Sequence, residues 1–358
     1  MKNKIKNLIK GNESKIEIEI KNNFKMFNVV NPFKFFRNKI IFSIQKMIPP
    51  YKWKNSLLRL TGMKIGKDVC IPHYIHFDPY FPELIEIKDG VLIGGLSKFY
   101  TYKIENNKLI LGKIKIEKEV LLAGLTTIYP GVKVNENVIT GMKSIITKDC
   151  PKNTFIIGND IIKKEWSNED LERLFYKSKN DKNYYSNFKK KTKEFRKNKD
   201  MMVIKILNDG KRLNPGNEWY LARPTWRIYY NAIWVELGRI ALCNASRNFF
   251  HFMLGVKKGK NVKISKGTIF DHIYGDLVEI GNNVKIGKNC YFDGHSYTIG
   301  ESVFGRIKIG NNTILEDNVI VACGITIGKN CKILKNSIVM KNIHDNETWG
   351  GNPAKKIE

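Results

Sequence analysis

The sequence predicts a mainly β molecule: two tandem triangular β-prisms, each preceded by short α-helices, with a charged helical linker between them. Three observations predict it: an apolar period of six residues, a gapless internal repeat, and an aromatic, basic segment ahead of each repeat copy. Shifted by 193 positions, the chain falls into register with itself from Gly62 over Gly255 to Lys163 over Lys356. Phe77-Asp78 then lies over Phe270-Asp271, Gly131 over Gly324, and Gly158-Asn159 over Gly351-Asn352. The copies disagree at one informative place, where Tyr102 stands against His295.

The six-residue period defines the prisms. In the second copy Ile309, Leu315, Val321, Ile327, Ile333 and Val339 recur at that interval, and in the first Ile116, Leu122, Ile128, Val134, Thr140 and Ile146 do so. A second apolar or small position lies two residues before each, at Ile307, Thr313, Val319, Ile325, Cys331 and Ser337. Neither a helix nor a hairpin array explains a spacing of six. One short flat strand plus a turn does, with three such units closing a triangular coil whose fixed aliphatic points inward. The following residue, often Gly or Ala (Gly310, Ala322, Gly328), is expected at the corner, where its small size suits the turn.

Taken in chain order, residues 1–61 form an N-terminal extension with amphipathic helices, and 62–163 the first, degenerate prism. Residues 164–254 hold a charged linker and a second helical preface, and 255–358 the second prism. The prefaces, 31–60 and 223–254, combine Lys and Arg with Phe and Trp. Such helices either cap the open prism end or lie in a bilayer interface, and capping is the favoured expectation. The linker, 164–218, carries no visible chemistry. The hexads break between Asp293 and Arg306 and again between Tyr100 and Lys113, so a loop leaves each prism at the equivalent place. Excursions of this kind carry function more often than the walls do.

Composition bounds the partners. A formal charge of +28 suits an anionic partner, although Lys, Asn and Ile dominate together as in a general compositional habit. The basic residues are spread along the chain without a nucleic-acid motif, so no specific nucleic-acid role is expected. Cys70, Cys150, Cys243, Cys290, Cys323 and Cys331 show neither a CxxC pair nor a disulfide framework. No secretory signal or membrane-spanning stretch is visible, so the expected location is cytoplasmic, with peripheral membrane contact allowed. A zinc site of three histidines would need two of them close together; His73 and His76 precede the hexads and His295 has no near partner, so no metal is expected.

Hexads, the loop Asp293-Gly294-His295-Ser296-Tyr297 and the closing Gly350-Gly351-Asn352-Pro353-Ala354-Lys355 together resemble the hexapeptide-repeat acyltransferases, such as sugar and polysaccharide O-acetyltransferases. The resemblance covers most of 255–358, and 62–163 in degenerate form. It implies left-handed parallel β-helices assembled as homotrimers. It also implies an active site between subunits, acetyl-CoA as co-substrate, and a sugar or glycan-precursor hydroxyl as acceptor. The family's catalytic histidine maps onto His295, and neutral imidazole is a suitable base for this transfer. In coils of about eighteen residues one turn before His295 falls near Leu277, so Asp276 is expected to orient the ring. Ala322, Gly324, Gly351, Asn352, Pro353 and Lys355 are the expected acetyl-CoA contacts. Tyr102 is a poor base at neutral pH, so the first prism is expected to be inactive. The rival reading is a non-catalytic trimeric scaffold or glycan-binding module at the membrane surface.

Overall fold

The computed structural model describes residues 1–11, 13–46, 48, 50, 52–158, 160–162, 182–207, 223–297 and 301–357. Asn159 and most of the expected linker lie outside the described residues. The chain divides into two compact units, Met1–Tyr176 with Asn214–Trp219, and Lys177–Leu213 with Tyr220–Glu358.

Each unit is a three-walled parallel β-coil, the expected fold class. Coil lengths repeat between units. Along one wall of the first, Lys64 pairs with Glu86, Glu86 with Lys115 and Lys115 with Lys133, giving coils of 22, 29 and 18 residues. In the second unit the partners are Lys257, Glu279, Lys308 and Thr326, with the same three lengths. The 22-residue coil contains a 3-10 turn at the corner, Pro82–Leu84 or Gly275–Leu277, and the 29-residue coil contains the excursion.

Every hexad aliphatic of the second unit, from Ile309 to Val339, is buried, as are the positions two residues earlier. Phe270 stacks on Phe292 at 4.8 Å, so the wall columns are continuous ladders of like side chains. Fully burying one such residue contributes about 1.5–3 kcal/mol. In the first unit Thr140 breaks the aliphatic column and is satisfied internally: its hydroxyl takes the Ala123 amide at 2.9 Å and pairs with Thr126 at 3.0 Å.

The corners differ from expectation. Left-handed backbone falls on Asn283, Asn289, Asn312, Asn318, Asn330 and Asn336, with φ between 55° and 64°, while Gly281, Gly287, Gly310 and Gly328 keep ordinary φ. Asn tolerates this region because its short amide bonds locally. Here it also bonds between coils: Asn261 donates to Asn283 at 3.2 Å, Asn283 to Asn312 at 3.0 Å, Asn312 to Asn330 at 3.1 Å and Asn330 to Asn346 at 2.9 Å. Glycine is needed at Gly310 for space, since a Cβ there would strike the Gly328 backbone of the next coil.

The first unit has helices α1 (Lys2–Lys10), α2 (Pro32–Gln45) and α3 (Lys52–Arg59); the second has α4 (Lys182–Lys197), α5 (Thr225–Ile240) and α6 (Asn244–Leu254). The last two of each set close the open end of the coil, and the first of each packs on the excursion side. The first coil has strand carbonyls with no strand beyond them, and buried polar side chains take them. Gln45 donates to the Ile75 carbonyl, Asn55 to that of Val69 and buried Lys54 to that of Pro72; Lys54 also donates to the Ile48 carbonyl between α2 and α3. In the second unit Asn231 and Arg247 do the same for His272 and Ile264.

Within the expected linker, Val203–Leu207 forms a strand antiparallel to Glu301–Gly305, the returning arm of the excursion. It corresponds to Lys15–Glu19, which pairs with Lys108–Gly112 in the first unit. Arg306, buried, donates to the carbonyls of Phe195, Asn198 and Met201 and locks α4 onto the prism. Each unit therefore includes a preceding helix and strand.

Candidate functional site

The excursion of the second unit is a hairpin in which His295–Tyr297 pairs with Glu301–Gly305, so His295 faces Phe304 in register. His295 begins this hairpin where the wall strand Tyr291–Phe292 ends. The strand one coil below, Ile269–Phe270, is paired with it, Phe270 against Phe292. The residues that follow each strand, Asp271 and Asp293, therefore share one corner.

Asp271 is fully buried and saturated with donors. One carboxylate oxygen accepts the amides of Ile273 at 2.7 Å and Tyr274 at 3.0 Å; the other accepts the Gly294 amide at 2.8 Å and His295 Nδ1 at 2.5 Å. Asp293 lies 3.8 Å from the same nitrogen. The His295 ring packs against Tyr274 at 5.8 Å, which in turn packs on Phe304 at 5.0 Å. With Nδ1 donating to Asp271, the ring's basic atom is Nε2, the tautomer a general base requires.

Burial by itself would lower the His295 pKa. The charge and hydrogen bond of Asp271, with the charge of Asp293, outweigh it and push the ring up to about 9. Burial would raise the Asp271 carboxyl, but the facing imidazolium holds it well below the usual carboxylate range. Burial, reinforced by the charge of Asp271, pushes Asp293 up to about 7 despite the pull of His295. Cys323 stands close to both carboxylates; burial, then those charges, pushes its thiol up to about 12, which makes it a poor nucleophile.

Asp276 is not the orienting group. It is ion-paired with Arg223 at the outer side of the 3-10 turn. Its placement beside the ring assumed an eighteen-residue coil, whereas the coil here has 22 residues and brings Asp271 to the corner. The repeated dipeptides Phe77-Asp78 and Phe270-Asp271 carried that signal in the sequence.

The expected co-substrate contacts divide. Ala322 follows Val321, the strand partner of Phe292, and so sits one coil above Asp293 as a small, half-exposed residue. Gly324 is covered by the chain itself, because a Cβ there would meet the Val203 side chain. Gly351 spends its amide on Ser337 and its carbonyl on Ile338 within the fold. Asn352, Pro353 and Lys355 lie exposed in the hairpin Thr348–Ile357 that ends the prism. Among the described residues Asp271, Asp293 and His295 form the one carboxylate and imidazole group dense enough for a metal ion. The four N–H donors on Asp271 already engage that carboxylate, so the set is better matched to an oriented Asp–His pair than to a cation.

The first unit keeps the carboxylate and replaces the rest. The hydroxyl of Thr101, at the position of Gly294, donates to buried Asp78. Burial pushes Asp78 up to about 6 against the hydrogen bonds of Thr101, Tyr80 and Phe81. Tyr102 packs at 5.5 Å from Tyr80, and burial followed by the nearby Asp78 pushes its phenol up to about 12. Tyr100 and Tyr129 stand 6.0 Å apart where the second unit has Asp293 and Ala322. Aromatic rings thus fill in the first unit the corner that the second leaves open.

No family model matches the chain. The chain is 29% identical over 152 residues to YvoF of Bacillus subtilis, provisionally named an acetyltransferase, a match covering 41% of this chain and 88% of that protein. It is 31% identical over 137 residues to the similarly named SAS0727 of Staphylococcus aureus, covering 38% of this chain and 85% of that protein. Among solved structures, the hexapeptide-repeat acetyltransferase VCA0836 of Vibrio cholerae, complexed with acetyl-CoA, matches at 19% identity and a TM-score of 0.32 over 36% of this chain and 84% of that one. A galactoside acetyltransferase in complex with coenzyme A matches at 22% identity and a TM-score of 0.32, covering 37% of this chain and 80% of that one.

Proposed function

Because the chain belongs to the hexapeptide-repeat acetyltransferases, we propose that its second unit moves an acetyl group from acetyl-CoA to a hydroxyl of a sugar or surface-glycan precursor, with His295 as general base. The observation that carries this reading is the 2.5 Å bond between His295 Nδ1 and buried Asp271, at the corner where Ala322 leaves room. The sugar acceptor rests on the family resemblance, and so does assembly as a homotrimer. When bound, acetyl-CoA supplies the activated thioester carbonyl; in this reading Ala322, Asn352, Pro353 and Lys355 would hold it.

The chain's own groups handle the proton. His295 Nε2 takes the proton of the acceptor hydroxyl as its oxygen bonds to the acyl carbon, and returns it to the departing thiolate sulfur. Asp271 holds the ring in the required tautomer and stabilises the imidazolium that forms. Asp293 adds a second negative charge to the same end of the ring. In this reading the first unit is inactive, since Thr101 occupies its carboxylate and Tyr102 is no base at neutral pH.

The test is CoA release measured across a panel of hydroxyl acceptors. His295→Ala is expected to lower kcat/KM by about 10²–10⁴-fold, and Tyr102→Phe to leave it unchanged. Equal loss in both variants would overturn the assignment of roles. Absence of turnover with every acceptor, together with no binding of acetyl-CoA, would overturn the activity itself.

A further inference from the structure

Each unit turns one face of its helical cap into its prism and leaves another apolar face outside. On α2 the buried positions are Asn38, Ile41, Phe42 and Gln45. Phe33, Phe36, Ile40 and Ile44 form a separate stripe at helical spacing, with Phe33 86% and Ile40 60% exposed. The equivalent helix of the second unit repeats it at the same repeat positions: Trp226, over Phe33, is 65% exposed and Ile233, over Ile40, is 49% exposed. Trp53 in the first unit, and Leu242, Phe249 and Phe252 in the second, are further exposed apolar residues of the helical caps.

Retention of one exposed stripe in both copies is not explained by capping, because the capping residues lie on the opposite side of the same helix. In the first unit the charge carried by the helices themselves has one sign. Helices α1, α2 and α3 contain no Asp or Glu, and Arg37 and Lys39 lie exposed on α2 beside the stripe; α5 carries one acid, Glu236, which is paired with Arg239. Among the described residues no helix is long and apolar enough to cross a membrane. We propose that these helix faces are docking surfaces for an anionic lipid bilayer, with Phe33, Ile40, Trp226 and Ile233 entering the interface and the flanking Lys and Arg meeting headgroup phosphates. An apolar stripe bordered by basic residues is the pattern of an interfacial helix, whose binding combines apolar burial with attraction to acidic lipid. A patch that served another copy of this chain would have no need of three helices without an acid in the first unit.

The test uses the full chain and extruded vesicles of phosphatidylcholine, with or without about 30% phosphatidylglycerol, an anionic share large enough for the basic residues to respond to. Wild type is expected to sediment with the anionic vesicles, and its partition to fall about tenfold or more on neutral vesicles and at about 0.5 M salt. Combined Phe33→Ser, Ile40→Ser, Trp226→Ser and Ile233→Ser is expected to abolish partition without changing the circular dichroism spectrum or the sedimentation mass. Arg37→Glu with Lys39→Glu leaves the apolar residues in place and is expected to weaken partition in the same direction, so the proposal stays testable should the fourfold variant fail to fold. Equal binding of wild type to neutral vesicles, undiminished binding by both variants, or a drop in oligomer mass in the fourfold variant would each overturn it. The last outcome would assign the faces to contacts between copies.

Discussion

At the scale of single residues, the site is set by how many negative charges face one imidazole. Two carboxylates near Nδ1 push His295 up to about 9, so the neutral ring that can accept a proton is scarce at pH 7 and accumulates as pH rises. The kcat/KM of the wild type is therefore expected to climb between pH 7 and 9. Asp293→Asn removes one negative charge, lowers the His295 pKa and moves that rise to lower pH, which a pH–rate profile measures directly. Asp271→Asn removes the acceptor that fixes the tautomer as well as the charge, and is expected to cost about 10²-fold or more in kcat. A profile unmoved by Asp293→Asn would remove that residue from the electrostatics of the base. In the first unit Tyr102→His is expected to give no activity in a His295→Ala background, because Thr101 already holds Asp78 and Tyr129 fills the corner.

At the scale of elements, the asparagine corners account for much of the difference between the units. Asn289, Asn312, Asn318 and Asn336 stand over Leu96, Glu119, Leu125 and Lys143, and all eight take positive φ. A residue other than Gly or Asn in that region costs about 1–2 kcal/mol. Asn330→Ala introduces this strain and removes bonds to Asn312 and Asn346, so it is expected to destabilise by about 2 kcal/mol. Leu125→Asn is expected to stabilise the first unit by up to about 1 kcal/mol. Urea midpoints at constant m-value check both. The repeating aliphatics were legible in the sequence because burial imposes their period. The ladder was less so, since Asn also reads as ordinary polar composition in a chain rich in Lys and Asn. The strand Val203–Leu207 lay hidden in the expected linker: the 193-residue register does not reach it, and it sits five positions earlier in the chain than that register would place it.

At the scale of the whole molecule, two like units carry different burdens. The second has the continuous ladder and the Asp–His pair; the first has mixed corners and an aromatic-filled groove. Amide hydrogen exchange is expected to be slower in the walls of the second unit than in those of the first. Uniform protection across both would show that the corner residues do not govern local stability. The second unit also ties its hairpin to the preceding helix through Arg306, whose guanidinium satisfies three backbone carbonyls. Arg306→Ala is expected to destabilise by about 2–4 kcal/mol and to lower turnover, because the strand paired behind His295 loses its anchor. Loss of stability with undiminished kcat at low temperature would separate that anchor from the site.

The sequence by itself determined the coil architecture, its repetition and the identity of His295 as the distinctive group. Inward aliphatics every six residues have few other solutions, and a gapless register sets Tyr102 against His295. Tertiary structure alone decided which carboxylate meets that histidine. Coil length depends on corner turns and inserted loops, so a coil of 22 residues, four longer than expected, put Asp271 beside the ring in place of Asp276. It also decided that Gly324 serves packing, since contact with Val203 depends on a strand more than a hundred residues earlier in the chain.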